Sequence, residues 1–521
     1  METINYGIDL GTTNSLIAKF ENGRVTIFKN PIGQKETLAS VVAFRKDRIL
    51  VGDKAREYIT KDPTNVFGSF KRKMGTDSKY YVVNIDDNVT PVTLSAYILK
   101  ELKTFLHNGE KPLAAVITIP ASFDTMQSNA TQKAGLEAGF QTVYLLQEPI
   151  AASLAYFNHS KVEDKSGYWL VYDLGGGTFD VALVKIEQTD MQVVDHEGNN
   201  FLGGVDFDAA IVEQLLVPQI IEKTGLDNLK EEITASGSYE KLFYILLHKA
   251  EEAKKELSSQ EIADVEFSME MPNGDLEDVL LTISREQFNQ IISDKIELTI
   301  QLMQQMLDRN NLLTTQIQQV ILVGGSTFIP YVREKLANTL SIPVNTDADP
   351  TSAVAEGAAF YAGNKYFQPV EEKTNEELSE VTIDALLDGI ETKDPSVDLD
   401  IQLSYMKATQ EEEEMLLVKV TGVVDGYQYR LVRDDGGFDT GFMPLKTKFT
   451  EFLPLLPQVQ NIFSFKLYTA VGEELVDFSQ SLTIAQGQYV IQGQPLPKDI
   501  CIEVDDRENN TTKLELIFER N

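Results

Sequence analysis

"DLGGGTFD", Asp173 to Asp180, decides the fold. Gly175, Gly176 and Gly177 stand between two apolar runs, "YWLVYD" and "VALVKI". Three glycines add nothing to a core and weaken a strand. They do offer successive backbone N–H groups that a phosphate can approach closely, because no Cβ stands in the way. The octet therefore reads as a phosphate-binding hairpin joining two strands. Asp173 and Asp180 would face Mg²⁺ or a water, and Thr178 would donate its hydroxyl to a phosphate oxygen. Taken alone, the octet also fits a glycine-rich turn with solvated carboxylates.

The pattern recurs elsewhere in the chain. "YGIDLGTTNS" (6–15) again runs from a strand to an aspartate, Asp9, then Gly11, Thr12 and Thr13. Asp9 and Asp173 hold equivalent places in two "DLG" hairpins. "ILVGGST" (321–327) sets Gly324, Gly325 and Ser326 between a strand and a helix, where adenosine or phosphate could be met. "FLGGVDFD" (201–208) sets Gly203 and Gly204 ahead of Asp206 and a helix. One glycine motif is a weak signal, whereas four in this order describe two related α/β halves, each offering a phosphate hairpin. The expected fold is a two-lobed, actin-like ATPase with duplicated, ribonuclease H-like halves and nucleotide in the cleft.

The rest of the chain gives this fold its limits. With 521 residues, two to four domains are expected. Residues 1–365 alternate short apolar strands with helical spacing, as in "AAVITIP" followed by "TMQSNATQKAGLEAGF". Pro120 and Pro149 mark strand-to-helix junctions. Residues 366–400 read as an acidic linker: from Glu371 to Asp400 there are eleven acidic and two basic residues, around one apolar cluster, "VTIDALLDGI" (381–390). Residues 401–521 turn to β texture, with "LLVKVTGVV", "YQYRLV", "NIFSFKLYTAV", "SLTIAQGQYVI", "DICIEVDD" and "TKLELIFER" separated by turns such as "DDGG" and "RENN". A smaller all-β sandwich domain is expected there.

A net charge of −34 argues against nucleic acid and anionic membranes as partners. It fits a monomeric or weakly associating protein. The single cysteine, Cys501, suits a reducing cytosol. The amino terminus has no secretory pattern and no run of apolar residues spans a membrane, so a cytoplasmic location is expected.

These motifs resemble one family in combination. "GIDLGTTNS", "FKRKMG", "VITIPASF", "QEPIAASLAY", "DLGGGTFD", "LGGVDFD", "AEEAKKELSS" and "VILVGGSTFIP" look like the ATPase domain of Hsp70 chaperones, over about residues 1–365. The resemblance implies ATP or ADP as ligand, with Mg²⁺ and a monovalent cation such as K⁺. It implies that Lys71 positions the attacking water and that Glu148 orients a Mg²⁺-bound water. Asp9, Asp173 and Asp180 are implied as cleft carboxylates, the first two near the metal, mainly through water. Thr12, Thr13 and Thr178 are implied as phosphate contacts. Glu251, Lys254 and Ser258, three and four residues apart on one helical face, are implied as the grip on ribose and adenine.

Some positions depart from the family pattern. Phe328 stands where the family has an arginine, so adenine would rest on an aromatic face, with Lys255 on its other side. Thr351 replaces an acidic residue. Ser122, Ser128 and Tyr144 replace residues that carry interdomain signals, which implies rewired or weakened coupling. Beyond residue 400 the resemblance fades. "DALLDGIET" resembles the interdomain linker only in part, and no helical lid follows the β region. A bacterial member with a divergent C-terminal region is expected, either a lidless branch of the family or a piece of a longer protein.

Two functions fit. One is an ATP-driven chaperone whose slow hydrolysis switches a β domain's hold on unfolded clients, aided by a J-domain co-chaperone and a nucleotide exchange factor. The other is an ATP-dependent scaffold with one dedicated partner. A small-molecule kinase is disfavoured, because Lys71 and Glu148 suit water rather than a substrate hydroxyl.

Overall fold

The computed structural model describes residues 2–367 apart from 108, 160–165, 188–189, 235–236, 341–343, 346–347 and 364. It further describes 399–518 apart from 410, 458, 476–477, 488–489, 492–499 and 507–510. The chain forms two compact units. One comprises Thr3–Glu187, Gln192–Phe367 and Gly493–Asn521, the other Met1–Glu2, Gln188–Met191 and Gln368–Gln492. The apolar cluster 381–390 and most of the acidic linker lie outside the described residues.

In the larger unit, two sheets repeat one plan. The first holds β1 (Tyr6–Asp9), β2 (Asn14–Glu21), β3 (Arg24–Ile27), β4 (Ala114–Ile119) and β5 (Thr142–Gln147), in the order β5-β4-β1-β2-β3. β4 and β5 run parallel, as do β4 and β1, whereas β1, β2 and β3 form antiparallel pairs. The second begins with β6 (Gly167–Leu174), β7 (Phe179–Glu187) and β8 (Asp190–Asn199). A long hairpin of β9 (Ile262–Glu270) and β10 (Leu276–Ser284) follows in the chain. Then β11 (Ile317–Val323) and β12 (Val344–Asn345) complete the order β12-β11-β6-β7-β8. Here too a parallel trio, β12, β11 and β6, leads into an antiparallel hairpin, β6–β7. All six residues of β4 are buried, as expected of a strand covered on both faces.

Helices connect and cover these strands. α1 (Pro91–Lys103) starts on the Thr90 cap with a proline in its first turn. α2 (Thr125–Glu137) starts where Asp124 and Gln127 cap each other reciprocally. α3 (Glu148–His159) follows β5 at once, so the Glu148 carboxylate stands at a strand's carboxyl end. The run 207–225, which reads as one helix, is broken. α4 (Gly204–Ile211) passes through a π-helical turn, Val212–Leu216, into α5 (Val217–Thr224). Pro218 has no N–H to give to the preceding turn, which disrupts the regular ladder there. α6 (Glu240–Glu256), α7 (Arg285–Arg309) and α8 (Ala353–Ala362) complete the set used below. Two separate cores result. Ile8, Ile17, Phe44, Leu94 and Ile117 belong to the first lobe, and Leu170, Tyr172, Phe179, Phe207 and Phe288 to the second.

The smaller unit is built from β13 (Leu399–Ser404), β14 (Ala408–Thr409), β15 (Glu413–Gly422), β16 (Tyr427–Arg433), β17 (Met443–Pro444), β18 (Lys448–Pro454), β19 (Gln460–Thr469) and β20 (Gln480–Gln486). They form two sheets, β13-β15-β18 and β14-β20-β19-β16-β17. Leu416, Val418 and Leu453 of the first share one core with Leu431, Phe463, Phe465 and Leu482 of the second. β13 and β18 are absent from the strand reading of the sequence. The last two expected strands, β21 (Ile500–Asp506) and β22 (Thr511–Phe518), pair with each other and, among the described residues, join neither sheet.

Candidate active site

The two hairpins meet back to turn. Asp9 lies opposite Leu16 across β1–β2, and Asp173 opposite Asp180 across β6–β7. A Cβ on Gly176 would fall on Thr13 Oγ1, and one on Gly177 would fall on Thr12 Cγ2. The glycines thus serve a second purpose, which is to let the threonines of the other hairpin come this close.

Every carbonyl of the triplet is held from behind. Ser326 Oγ donates to Gly175 O (2.8 Å), and the Gly204 N–H donates to the same oxygen (3.0 Å). The Val205 N–H donates to Gly176 O (2.7 Å), and Arg72 Nη2 donates to Gly177 O. A trans peptide points its N–H away from its C=O. The N–H groups of Gly176, Gly177 and Thr178 are therefore turned to the other side. Among the described residues they donate to no protein acceptor. The first hairpin is braced similarly: the Gly11 N–H donates to Ser15 Oγ (3.1 Å), and Ser40 Oγ donates to Gly11 O (2.8 Å).

Beside this cradle four carboxyl groups surround one ammonium. Lys71 comes from a 3₁₀ turn, Phe70–Lys73, and its Nζ lies 2.7 Å from Glu148 Oε1, with both side chains buried. Burial pushes Asp9 up to about 7, and the Glu148 charge adds to it, against Lys71 and the Thr118 hydroxyl. Burial, again helped by Glu148, pushes Asp180 up to about 7, against the Ser122 hydroxyl and Lys71. Asp173 is raised well above the ordinary aspartate range by burial and by Glu148, Asp180 and Asp9. Burial alone would lower Lys71, yet Glu148 and Asp9 hold it above the usual lysine value. One lysine cannot offset four ionised carboxylates, so the aspartates are held toward their neutral forms, and added positive charge would favour their ionisation.

A cavity of about 120 Å³ holds Asp9, Lys71, Glu148, Asp173, Thr178 and Gly324 in its wall, together with Gly11 and Gly175. A larger one, about 590 Å³, is within the usual size range of ligand pockets. One side of it carries Arg56, Phe67 and Tyr80, the other Tyr244, Glu251, Lys254, Lys255, Ser258 and Ser326. Thr12, Thr13, Gly176 and Gly325 line both, so the chambers meet at the cradle.

Several expected residues fall elsewhere. Phe328 does not line the large cavity; the residue is 42% exposed, and the Arg333 guanidinium lies 5.2 Å from its ring centroid. Gly203 lines neither chamber: a Cβ on it would meet Gly177 N at 2.6 Å, so Gly203 serves backbone packing against the cradle. Asp180 also lines neither and stands behind Asp173. Sequence reading missed Asp208, whose Oδ1 lies 2.7 Å from Lys254 Nζ, and Arg56, which reaches Glu251. It also missed Arg72. Pairs so distant in sequence leave no periodic signal.

The residues present fit a nucleotide with a divalent cation. The cradle offers unused N–H donors, Thr13 Oγ1 is buried with no protein partner, and the carboxyl cluster calls for a cation. Asp9 and Asp173 are the groups that would hold Mg²⁺, together with water and phosphate oxygens.

The class defined so far is a two-lobed α/β chain with a glycine–threonine cradle between duplicated sheets, joined to a two-sheet β unit. A sequence model of the family described as "Hsp70 protein" matches residues 5–419, and the chain belongs to that family. It is 39% identical over 363 residues to the chaperone protein DnaK of Mycoplasma mycoides, covering 68% of this chain and 58% of that one. The chaperone proteins DnaK of Thermotoga petrophila and Thermotoga maritima are each 39% identical over 364 residues, with the same coverage. The chain thus spans 58% of the length of these curated relatives. No helix among the described residues is long and apolar enough to cross a membrane.

Proposed function

We propose that this chain is an Hsp70-type chaperone ATPase. Residues 1–365 would form the actin-like, nucleotide-binding domain, 366–400 the linker and 401–521 a divergent β-sandwich domain for protein clients. The observation that carries the reading is the Lys71–Glu148 pair at 2.7 Å, set among buried aspartates at the far end of the glycine cradle.

The chemistry follows from where charge must go. The N–H groups of Gly176, Gly177 and Thr178 and the hydroxyls of Thr12, Thr13 and Thr178 would bind the phosphates. The Lys71 ammonium would offset charge on the terminal phosphoryl group and hold a water in line with it. Glu148 fixes the lysine by its ion pair. Asp180, behind Asp173, would bear on that water through the charge of the cluster rather than by touching it. Mg²⁺, when bound, neutralises phosphate oxygens, and a monovalent cation such as K⁺ would add to the same effect. Glu251, Lys254, Lys255 and Ser258 would hold the nucleoside in the large chamber. ATP and ADP states would then set the β unit's hold on unfolded clients. A J-domain co-chaperone and an exchange factor are the expected partners, in the cytoplasm, with no role for nucleic acid or membrane.

Two assays test this. Single-turnover hydrolysis of Mg·ATP should be slow but measurable. A peptide array probed with the ATP- and ADP-bound protein should show many peptides held more tightly with ADP. No hydrolysis would overturn the ATPase reading, and capture of none of the peptides would overturn the client-binding one.

A further inference from the structure

Arg72 spans the two lobes. It sits on the same 3₁₀ turn as Lys71, between Phe70 and Met74, which are buried in the first-lobe core. Its guanidinium leaves that lobe. Nη2 donates to Gly177 O and lies 2.7 Å from Asp206 Oδ2, with the two side chains only 14% and 25% exposed. The Phe201 ring lies 5.7 Å from the guanidinium carbon. Asp206 is in the first turn of α4, and the neighbouring Gly204 and Val205 N–H groups hold the carbonyls of Gly175 and Gly176.

We propose that Arg72, with Asp206, is a positioning pair that sets the Gly177–Thr178 peptide against Lys71; this rests on the ATPase reading above. A peptide following glycine turns over easily, because no Cβ opposes it. Turned over, it would aim the Gly177 carbonyl at a phosphate and withdraw the Thr178 N–H. Arg72 prevents this by holding the carbonyl from behind, and Asp206 holds Arg72. Because Arg72 follows Lys71 directly on one short turn, the water-positioning ammonium and the phosphate-binding amide are fixed relative to each other across the cleft. Arg72 touches no reacting atom in this scheme; it acts through the peptide it holds.

The test uses the full chain with Arg72→Ala, Arg72→Lys, Asp206→Asn and the double variant Arg72→Ala/Asp206→Asn. Loss of one aligned donor in a phosphate or oxyanion site lowers turnover by about 10²-fold or more. Arg72→Ala should therefore lower kcat by about 10–10²-fold, with KM for ATP changed by less than about 3-fold. Arg72→Lys, which keeps a cationic donor on a shorter side chain, should recover part of the loss. The double variant should be no slower than Arg72→Ala alone. Hydrogen exchange in the nucleotide-free protein supplies a readout independent of hydrolysis. The Gly175, Gly204 and Val205 amides should exchange several-fold faster in Arg72→Ala and in Asp206→Asn, with β4 and β6 unchanged. Unaltered exchange at those amides, or strictly additive losses in the double variant, would overturn the positioning role. If the wild type hydrolyses no ATP, the ATPase reading fails, and the exchange data still decide the role of the pair. Should Arg72→Ala fail to fold, Arg72→Lys and Asp206→Asn carry the same comparison.

Discussion

Arg56 reaches Glu251 across the large cavity, Nη1 to Oε1 at 3.6 Å. Glu251 also binds Lys255 Nζ at 2.7 Å. Burial would raise this carboxyl, but Arg56 and Lys255 outweigh burial and hold it below the ordinary glutamate value. Arg56 therefore ties one wall of the cavity to the other over any nucleoside between them. A partly exposed pair of this kind contributes up to about 1 kcal/mol, roughly a 5-fold change in a rate or affinity. Arg56→Ala should speed ADP release about 2–5-fold, measured by stopped-flow with a fluorescent nucleotide. Added salt should shrink the difference between variant and wild type. Equal release rates at low salt would show that the pair does not restrain the nucleotide.

Lys71 is the sole ammonium in the inner chamber among the described residues. Its removal has two consequences that separate its roles. Lys71→Ala should reduce single-turnover hydrolysis by on the order of 10²-fold or more, with nucleotide binding largely kept. It should also destabilise the nucleotide-free protein, because Glu148 and three aspartates are left without their counter-charge. Breaking a buried pair from one side costs about 3–5 kcal/mol. The double variant Lys71→Met/Glu148→Gln should recover stability but not hydrolysis. Unchanged hydrolysis in Lys71→Ala would sink its assignment to the water.

How much of this was legible in the sequence depends on what each feature needs. The four glycine elements were legible because close approach of backbone admits few other residues. Lys71, Glu148 and the helical face of Glu251, Lys254 and Ser258 were legible through the family resemblance rather than from spacing. The surroundings of Phe328 were not legible, because a sequence shows which residue fills a position but not which way its ring turns; here it meets Arg333. Arg72 and Asp206, 134 positions apart, needed the fold to bring them together. β18 was missed because exposed Phe452 and half-buried Glu451 break the period-two pattern. The hairpin β9–β10 shows the converse, since strict alternation of buried and exposed residues runs through β9.

In the smaller unit Tyr429 joins the two sheets' core to a polar partner. It is 3% exposed, stacks on Phe449 and Phe465 at 4.3 and 5.6 Å, and donates its hydroxyl to Glu451. Tyr429→Phe should keep the stacking and lose the hydrogen bond, costing about 1–2 kcal/mol. Tyr429→Ala should cost about 3–5 kcal/mol through the cavity it leaves. Urea unfolding followed by near-ultraviolet circular dichroism would measure both, with ATP turnover as the control for the larger unit. A Tyr429→Phe variant as stable as the wild type would mean that water replaces the lost partner at no cost.

The carboxyl cluster makes the nucleotide-free protein sensitive to pH in an unusual direction. Burial pushes Asp9 and Asp180 up to about 7 and Asp208 up to about 6, from an ordinary aspartate value of 3.8. Between the ordinary value and the raised one, the folded chain binds protons that the unfolded chain has released. Stability from these groups therefore falls as pH rises through that window, by up to about 1.4 kcal/mol per pH unit for each. Below about pH 4 both states are protonated and the effect disappears. Above about pH 7 the loss is complete. The groups held low, such as Asp195 beside Arg309 and Glu251 beside Arg56, act in the opposite sense, but only at pH values below the ordinary carboxylate range. Denaturant unfolding without nucleotide or divalent cation should therefore show greater stability near pH 5.5 than near pH 7.5. Asp180→Asn removes one charge from the cluster, so it should flatten the slope by as much as one proton's share and raise stability at the higher pH. The same variant should slow hydrolysis, because the charge beside Asp173 changes. A slope that stays as steep in Asp180→Asn as in the wild type would show that Asp180 is already ionised across the window, with its charge met by Lys71.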